Sequence, residues 1–187
     1  MIKPLPEKLL FWFDCEMTGL DVHQDSLLEV GLKVSNPSAS FIIDGPSYVI
    51  HSKLQKLQAM NKWCVATHQA NNLWSESISS TITVEHAEEN LINFIKTLPP
   101  QDVRYMAGSS IWCDRIFLQK YMPNLIKMFH YRLIDVSSLK IIFQLHVDKP
   151  YAAIKSDKHR VMDDIDASIQ EYRYYLQHMT DANLSSC

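Results

Sequence analysis

The chain has 187 residues, 47 % hydrophobic and 21 % charged, with 18 basic against 21 acidic side chains for a formal charge of −3. That is the size and balance of one globular domain with a substantial core, and no apolar run approaches the roughly 20 residues that a bilayer span needs. With no broad positive field to draw in long polyanions, nucleic acid as a ligand would have to be held by local contacts. Cys15, Cys64, Cys113 and Cys187 stand apart without CxxC pairs, which argues against a zinc site or a secreted disulfide framework. The start, MIKPLPEKLL, carries neither an apolar signal core nor an Arg/Ser-rich transit pattern. The cytoplasm is the expected compartment, a mitochondrial location the alternative. No repeat, low-complexity tract or linker divides the chain, so one domain over 1–187 is expected.

In chain order, Leu9 to Phe13 reads as a strand, and SLLEVGLKV as a second, apolar and β-branched enough to be buried. SFIIDGPSYVIH follows, two short apolar runs flanking Asp44-Gly45, a hairpin-type turn signal. Three consecutive strands are expected. Thr83 can cap a helix whose stripe of Ala87, Leu91, Phe94 and Leu98 ends at Pro99-Pro100. RYMAG is a short buried strand, Ser110 a candidate N-cap for a helix through Tyr121, and RLIDV one more strand. Helical patterns resume at Ser137 to His146 and from about Met162 to His178. Strands first, then strands alternating with helices, predict an α/β domain with helices against a mixed sheet.

The chemistry starts at LLFWFDCEMTGLD, where two acids follow a greasy run. Strand alternation places Asp14 and Glu16 on one face, about 7 Å apart along the chain. Two like charges there repel and lose hydration, which raises a pKa unless a cation neutralises them, and a divalent ion held by oxygens is the natural answer. The competing reading is an exposed edge strand whose acids face water. In GSSIWCDRIFLQKYM, Asp114 shares a helical face with Phe117 and Tyr121, so this charge also points inward; a salt bridge to Arg115 or Arg132 is the alternative. In HRVMDDIDASIQEYRYYL, the buried stripe runs through Ile165, Ile169, Tyr172 and Leu176. Asp163 then faces solvent, while Asp164 and Asp166 lie on opposite edges of the stripe, and periodicity does not choose between them. His159, just upstream, has the residue type to accept a proton near neutrality.

Together FWFDCEMTGLD, GSSIWCDRIFLQKYMP, FHYRLIDVSSLK and HRVMDDIDASI resemble the oligoribonucleases, small members of the DEDD exonuclease superfamily in its His variant, from about Leu9 to His178. The resemblance implies a ribonuclease H-like fold, a mixed central sheet flanked by helices in a single domain, with 179–187 as a flexible tail. The spacing H-x4-D from His159 then selects Asp164 over Asp166. It implies that Asp14, Glu16, Asp114 and Asp164 hold two Mg²⁺ or Mn²⁺ ions, and that His159 takes a proton from water. The activity implied is 3′-to-5′ hydrolysis of short single-stranded oligoribonucleotides, especially dinucleotides, to nucleoside 5′-monophosphates. Cys15 stands where the family commonly has an aliphatic residue, and Gly-Ser-Ser where it has Gly-Asn-Ser; neither change removes a catalytic group.

The resemblance also implies substrate contacts. Leu20 would wedge between bases and Trp63 would stack on one, although a tryptophan in MNKWCVATH also suits helix packing. Arg132 with Ser110 and Ser137 resembles a cap for a 5′ phosphate, with Tyr131 coming from the second subunit of a two-fold homodimer. Read alone, Arg132 is a surface charge. His68 matches a position near the active site. The alternatives in function are a related nuclease trimming longer RNA or DNA ends, and a catalytically silent oligonucleotide-binding protein.

Overall fold

The computed structural model describes residues 8–146, 151 and 159–184, with side chains as far as residue 179. Its elements are β1 (Leu10–Met17), β2 (Leu27–Ser35), β3 (Ile42–Val49), α1 (Leu54–Gln58), α2 (Lys62–Ala70), α3 (Leu73–Ser79), α4 (Val84–Thr97), β4 (Tyr105–Gly108), α5 (Ile111–Tyr121), α6 (Pro123–Ile126), β5 (Leu133–Asp135), α7 (Val136–His146) and α8 (Val161–Leu184). The five strands form one sheet in the order β3-β2-β1-β4-β5. The pairs β1–β2 and β2–β3 are antiparallel, and β1–β4 and β4–β5 are parallel. β1 is therefore central, and the reading of its acids as lying on an exposed edge is excluded.

Alternation along β1 divides the core. Leu9, Phe11, Phe13 and Cys15 face one side and pack with residues of α4, α5 and α6, including Leu91, Ile95 and Leu118. Cys15 thus packs as the small hydrophobe that alternation predicts. Leu10 and Trp12 face the other side, against Val136 and Phe143 of α7 and Ile165, Ile169 and Tyr172 of α8. Trp12 is fully buried; its indole N–H donates to Ser35 Oγ at 2.8 Å and its ring meets Tyr172 edge-on at 5.2 Å. A third cluster of Leu28, Leu57, Met60, Cys64 and Leu73 seats α1 to α3 beside β2. Asp14 and Glu16 continue the Trp12 side of β1, so strand parity alone aims them at α8.

Two local expectations are corrected. The chain continues through Asp44-Gly45 within β3, with a local irregularity in its pairing to β2 between Gly31 and Lys33, and does not turn there. A Cβ on Gly45 would lie 2.5 Å from the Leu32 carbonyl oxygen and 2.9 Å from the Phe94 ring, so this glycine permits close packing of sheet and helix rather than a turn. Gly45→Ala is expected to destabilise the fold by about 1–3 kcal/mol, read as a lower urea midpoint at unchanged slope, because backbone has to yield. Ser110 does precede α5, but in a left-handed conformation (φ 52°) and without a side-chain cap. Thr83 caps α4 as expected, accepting from the His86 N–H.

Candidate active site

Asp14 and Glu16 come from the C-terminal end of β1 and Asp164 from the first turn of α8. One ligand oxygen from each lies within 4.8 Å of the others. α8 can approach this closely because Gly31 of β2, paired with Asp14, has no side chain: a Cβ there would lie 2.7 Å from Val161. Asp114 reaches in from α5, buried, and its Oδ1 accepts the Cys15 N–H at 2.9 Å. That bond places its carboxylate beside the main chain of β1, between Asp14 and Glu16. Neither Arg115 nor Arg132 is its partner: among the described residues, no lysine or arginine ion-pairs with any of the four acids. Asp166, the other edge of the stripe, is taken by Lys33 at 2.6 Å. Asp163 is half-buried rather than fully in solvent.

The electrostatics follow from this crowding. Burial, then the charges of Asp114, Asp164, Glu16 and Glu29, push the Asp14 carboxyl well above the usual range. Burial, with Asp164, Glu29 and Asp114 adding to it, raises Glu16 to about 8. Asp114 is raised to about 7, chiefly by burial, against the lowering effect of its backbone hydrogen bonds. Asp164 is raised by burial and opposed by His159. Four carboxyls that no lysine or arginine among the described residues pairs with form a hard, all-oxygen donor set that suits a divalent ion.

Asp14, Glu16, Asp164 and His159 line a cleft of about 310 Å³ that runs along α8 past Ser109 and Ser168 to Glu171. Ser168 donates to Ser109 Oγ at 3.1 Å, so Ser109 is tied to the helix. A second cleft of about 300 Å³ adjoins it, sharing Glu16 and Cys15 and reaching Leu20, Trp63 and His68. Leu20 and Trp63 are 77 % and 62 % exposed, which rules out helix packing as the role of this tryptophan. The Trp63 ring meets the His159 ring edge-on at 5.6 Å. His68 is buried; its Nε2 donates to the Met17 carbonyl at 3.0 Å, while Nδ1 has no hydrogen-bond partner among the described residues.

Ser110 and Ser137 stand with their Oγ atoms 3.0 Å apart. Both their N–H groups donate to Asp135 Oδ1 at 2.9 Å, an anchor that the sequence did not reveal. The Arg132 guanidinium lies 4.7 Å over the exposed Tyr131 ring, and no described hydrogen bond joins it to the serine pair. Sequence reading also missed Asn71, which binds the His159 carbonyl, and Glu29 and Glu76, which bind the side chain of the next residue, Arg160. The one signal available was the position of Arg160 next to His159.

The chain superposes on E. coli exonuclease I in its zinc-bound complex with single-stranded DNA at a TM-score of 0.64 and 12 % identity, over 90 % of this chain and 40 % of that one. Cell-death related nuclease 4 matches at 0.58 and 13 % identity, over 93 % and 65 %. These likenesses establish the ribonuclease H-like fold of exonucleases. Residues 11–172 match the family model described as Exonuclease. The oligoribonuclease of Paracidovorax citrulli is 36 % identical over 179 residues, 95 % of this chain and 93 % of its own. That of Actinobacillus succinogenes is 38 % identical over 172 residues, 90 % and 93 % respectively. The chain belongs to the exonuclease family and, within it, to the oligoribonucleases, and it is a nuclease. Among the described residues no helix is long and apolar enough to cross a membrane.

Proposed function

We propose that this protein is a 3′-to-5′ exoribonuclease that degrades oligoribonucleotides of about two to five residues, dinucleotides above all, to nucleoside 5′-monophosphates. The observation that carries the reading is the convergence of Asp14, Glu16 and Asp164 oxygens within 4.8 Å at a cleft, with Asp114 buried against the Cys15 backbone between Asp14 and Glu16. These four acids would hold two Mg²⁺ or Mn²⁺ ions. When bound, such ions supply charge neutralisation at the scissile phosphate, acidify a water and stabilise the departing oxygen.

This chain's own residues do the rest. His159, exposed at the mouth of the acid cleft, takes the proton of the attacking water. Trp63 stacks on a base and Leu20 wedges beside it, with His68 beneath the same cleft. Ser110, Ser137 and Arg132 receive the 5′ phosphate, for which a planar guanidinium fork and two hydroxyl donors are suited. In this reading the unit is a two-fold homodimer, and Tyr131, 67 % exposed, reaches across it. A site closed at both ends of its ligand selects for length without needing a positive surface.

Product profiles from labelled RNA and DNA of increasing length, with and without Mn²⁺, test this. Dinucleotides are expected to turn over faster than strands of about 20 nucleotides. Faster removal from the long strand would make the protein a trimming nuclease instead, and binding without product would make it a silent binder. Trp63→Ala is expected to raise KM for a diribonucleotide by about 10-fold, the equivalent of one lost base stack, at nearly unchanged Tm.

A further inference from the structure

His159 holds φ at 44°, in the left-handed region that a residue bearing a Cβ disfavours. Such a conformation persists only where the surroundings over-determine it. Here the surroundings are specific. The Asn71 side-chain amide donates to the His159 carbonyl at 2.6 Å. The next residue, Arg160, donates through Nε and Nη2 to the two oxygens of Glu29, both at 2.9 Å. Its Nη2 also donates to Glu76 at 2.7 Å, and Nη1 donates to Glu76 at 3.3 Å and to the Asn71 carbonyl at 3.4 Å. Glu29 lies in β2 and Glu76 in α3, while Asn71 closes α2. The Arg160 carbonyl accepts the Asp164 N–H at 3.0 Å, so the residue that grips the sheet also opens the first turn of α8.

We infer that Arg160, Asn71 and Glu76 form a positioning unit that fixes the His159 imidazole in the acid cleft and, through α2, couples it to Trp63. This rests on the reading of His159 as the proton acceptor. The contact between the Trp63 and His159 rings gives the coupling a path: one helix carries the stacking residue at its start and ends in the amide that holds the histidine backbone. The competing role for Arg160 is purely structural. Glu29 is buried directly opposite Glu16 across β1 and β2, and Arg160 neutralises it there. On that account Arg160 would matter for stability and for nothing at His159.

The two roles separate in a mutant cycle on the full chain. Arg160→Lys, Asn71→Ala and Glu76→Gln are made in the wild-type and in the His159→Ala backgrounds. kcat and KM are measured on a diribonucleotide, and the histidine side-chain NMR spectrum is recorded, with the His159 resonance assigned by its loss in His159→Ala. In the wild-type background kcat is expected to fall roughly 10–100-fold with KM changed less than about threefold. In the His159→Ala background the same substitutions are expected to cost nothing further, because there is no imidazole left to place. The His159 resonance shifts or broadens in all three variants while those of the distant histidines stay. Equal losses of kcat in both backgrounds, or a stationary His159 resonance, overturn the proposal. If Arg160→Lys does not fold, Asn71→Ala, which leaves the Glu29 pair intact, decides the question. If the wild type does not cleave the diribonucleotide, the proposed function falls, and the resonance still decides whether the unit positions His159.

Discussion

Asp14→Asn is expected to lower kcat on a 5′-labelled diribonucleotide by more than about 10³-fold while the protein stays folded, and Asp164→Asn to do the same. Asparagine keeps the shape of the side chain and removes the charge. Asp14 pairs with Gly31 of β2 and sits between Phe13 and Cys15, both buried, so the backbone around it has no reason to move. What changes is the donor set: one of three acids whose oxygens lie within 4.8 Å becomes a neutral amide that binds a hard cation poorly. The same substitution removes a buried carboxyl that repels Asp114, Asp164 and Glu16. Asp14→Asn is therefore expected to have a higher Tm than wild type in EDTA at pH 8, gaining stability as it loses activity. Near-wild-type turnover in either variant would remove the acid cluster from the reaction.

The metal-free protein is expected to lose stability as pH rises, the reverse of the usual behaviour of paired carboxylates. Glu16 is held at about 8 in the fold, against 4.5 ordinarily, and Asp114 at about 7, against 3.8. A raised pKa means that the native state binds the proton more tightly than the unfolded state does. Its contribution is fully present below pH 4.5 and disappears as pH climbs through about 8. At about 1.4 kcal/mol per pH unit, Glu16 alone is worth on the order of 4 kcal/mol over that interval. The four carboxyls share one field and release their protons as a set. For a chain of this size the loss corresponds to a Tm lower by roughly 10 °C in EDTA at pH 8 than at pH 4.5. Magnesium or manganese added at pH 8 should recover most of that loss by taking the place of the protons. A Tm in EDTA that is flat or rising over the same range would mean that these acids do not crowd one another in the native state.

Much of the site was legible because it is written in local periods. Alternation along β1 is enough to put Asp14 and Glu16 on one face and Cys15 on the other. Helical spacing is enough to turn Asp114 inward with Phe117 and to set the buried stripe of α8. The H-x4-D interval, read through family likeness, singled out Asp164. These are statements about which way a side chain points from its own element, and such statements need no knowledge of neighbours.

Tertiary structure decided everything that depends on what stands opposite. Asp164 and Asp166 are equivalent by spacing; they differ because Lys33, on β2 beneath the helix, holds Asp166 and leaves Asp164 to the cleft. Asp44-Gly45 carries a turn signal, yet Phe94 and the Leu32 carbonyl press on it and keep it in a strand. Ser110 is placed like a cap but shares its hydroxyl with Ser137, drawn close by Asp135. Arg160 reads as an ordinary charge beside a histidine until Glu29 and Glu76, far away in the chain, close around it. In each case the deciding partner lies on another element, and a pattern confined to one element carries no information about that partner's distance or charge.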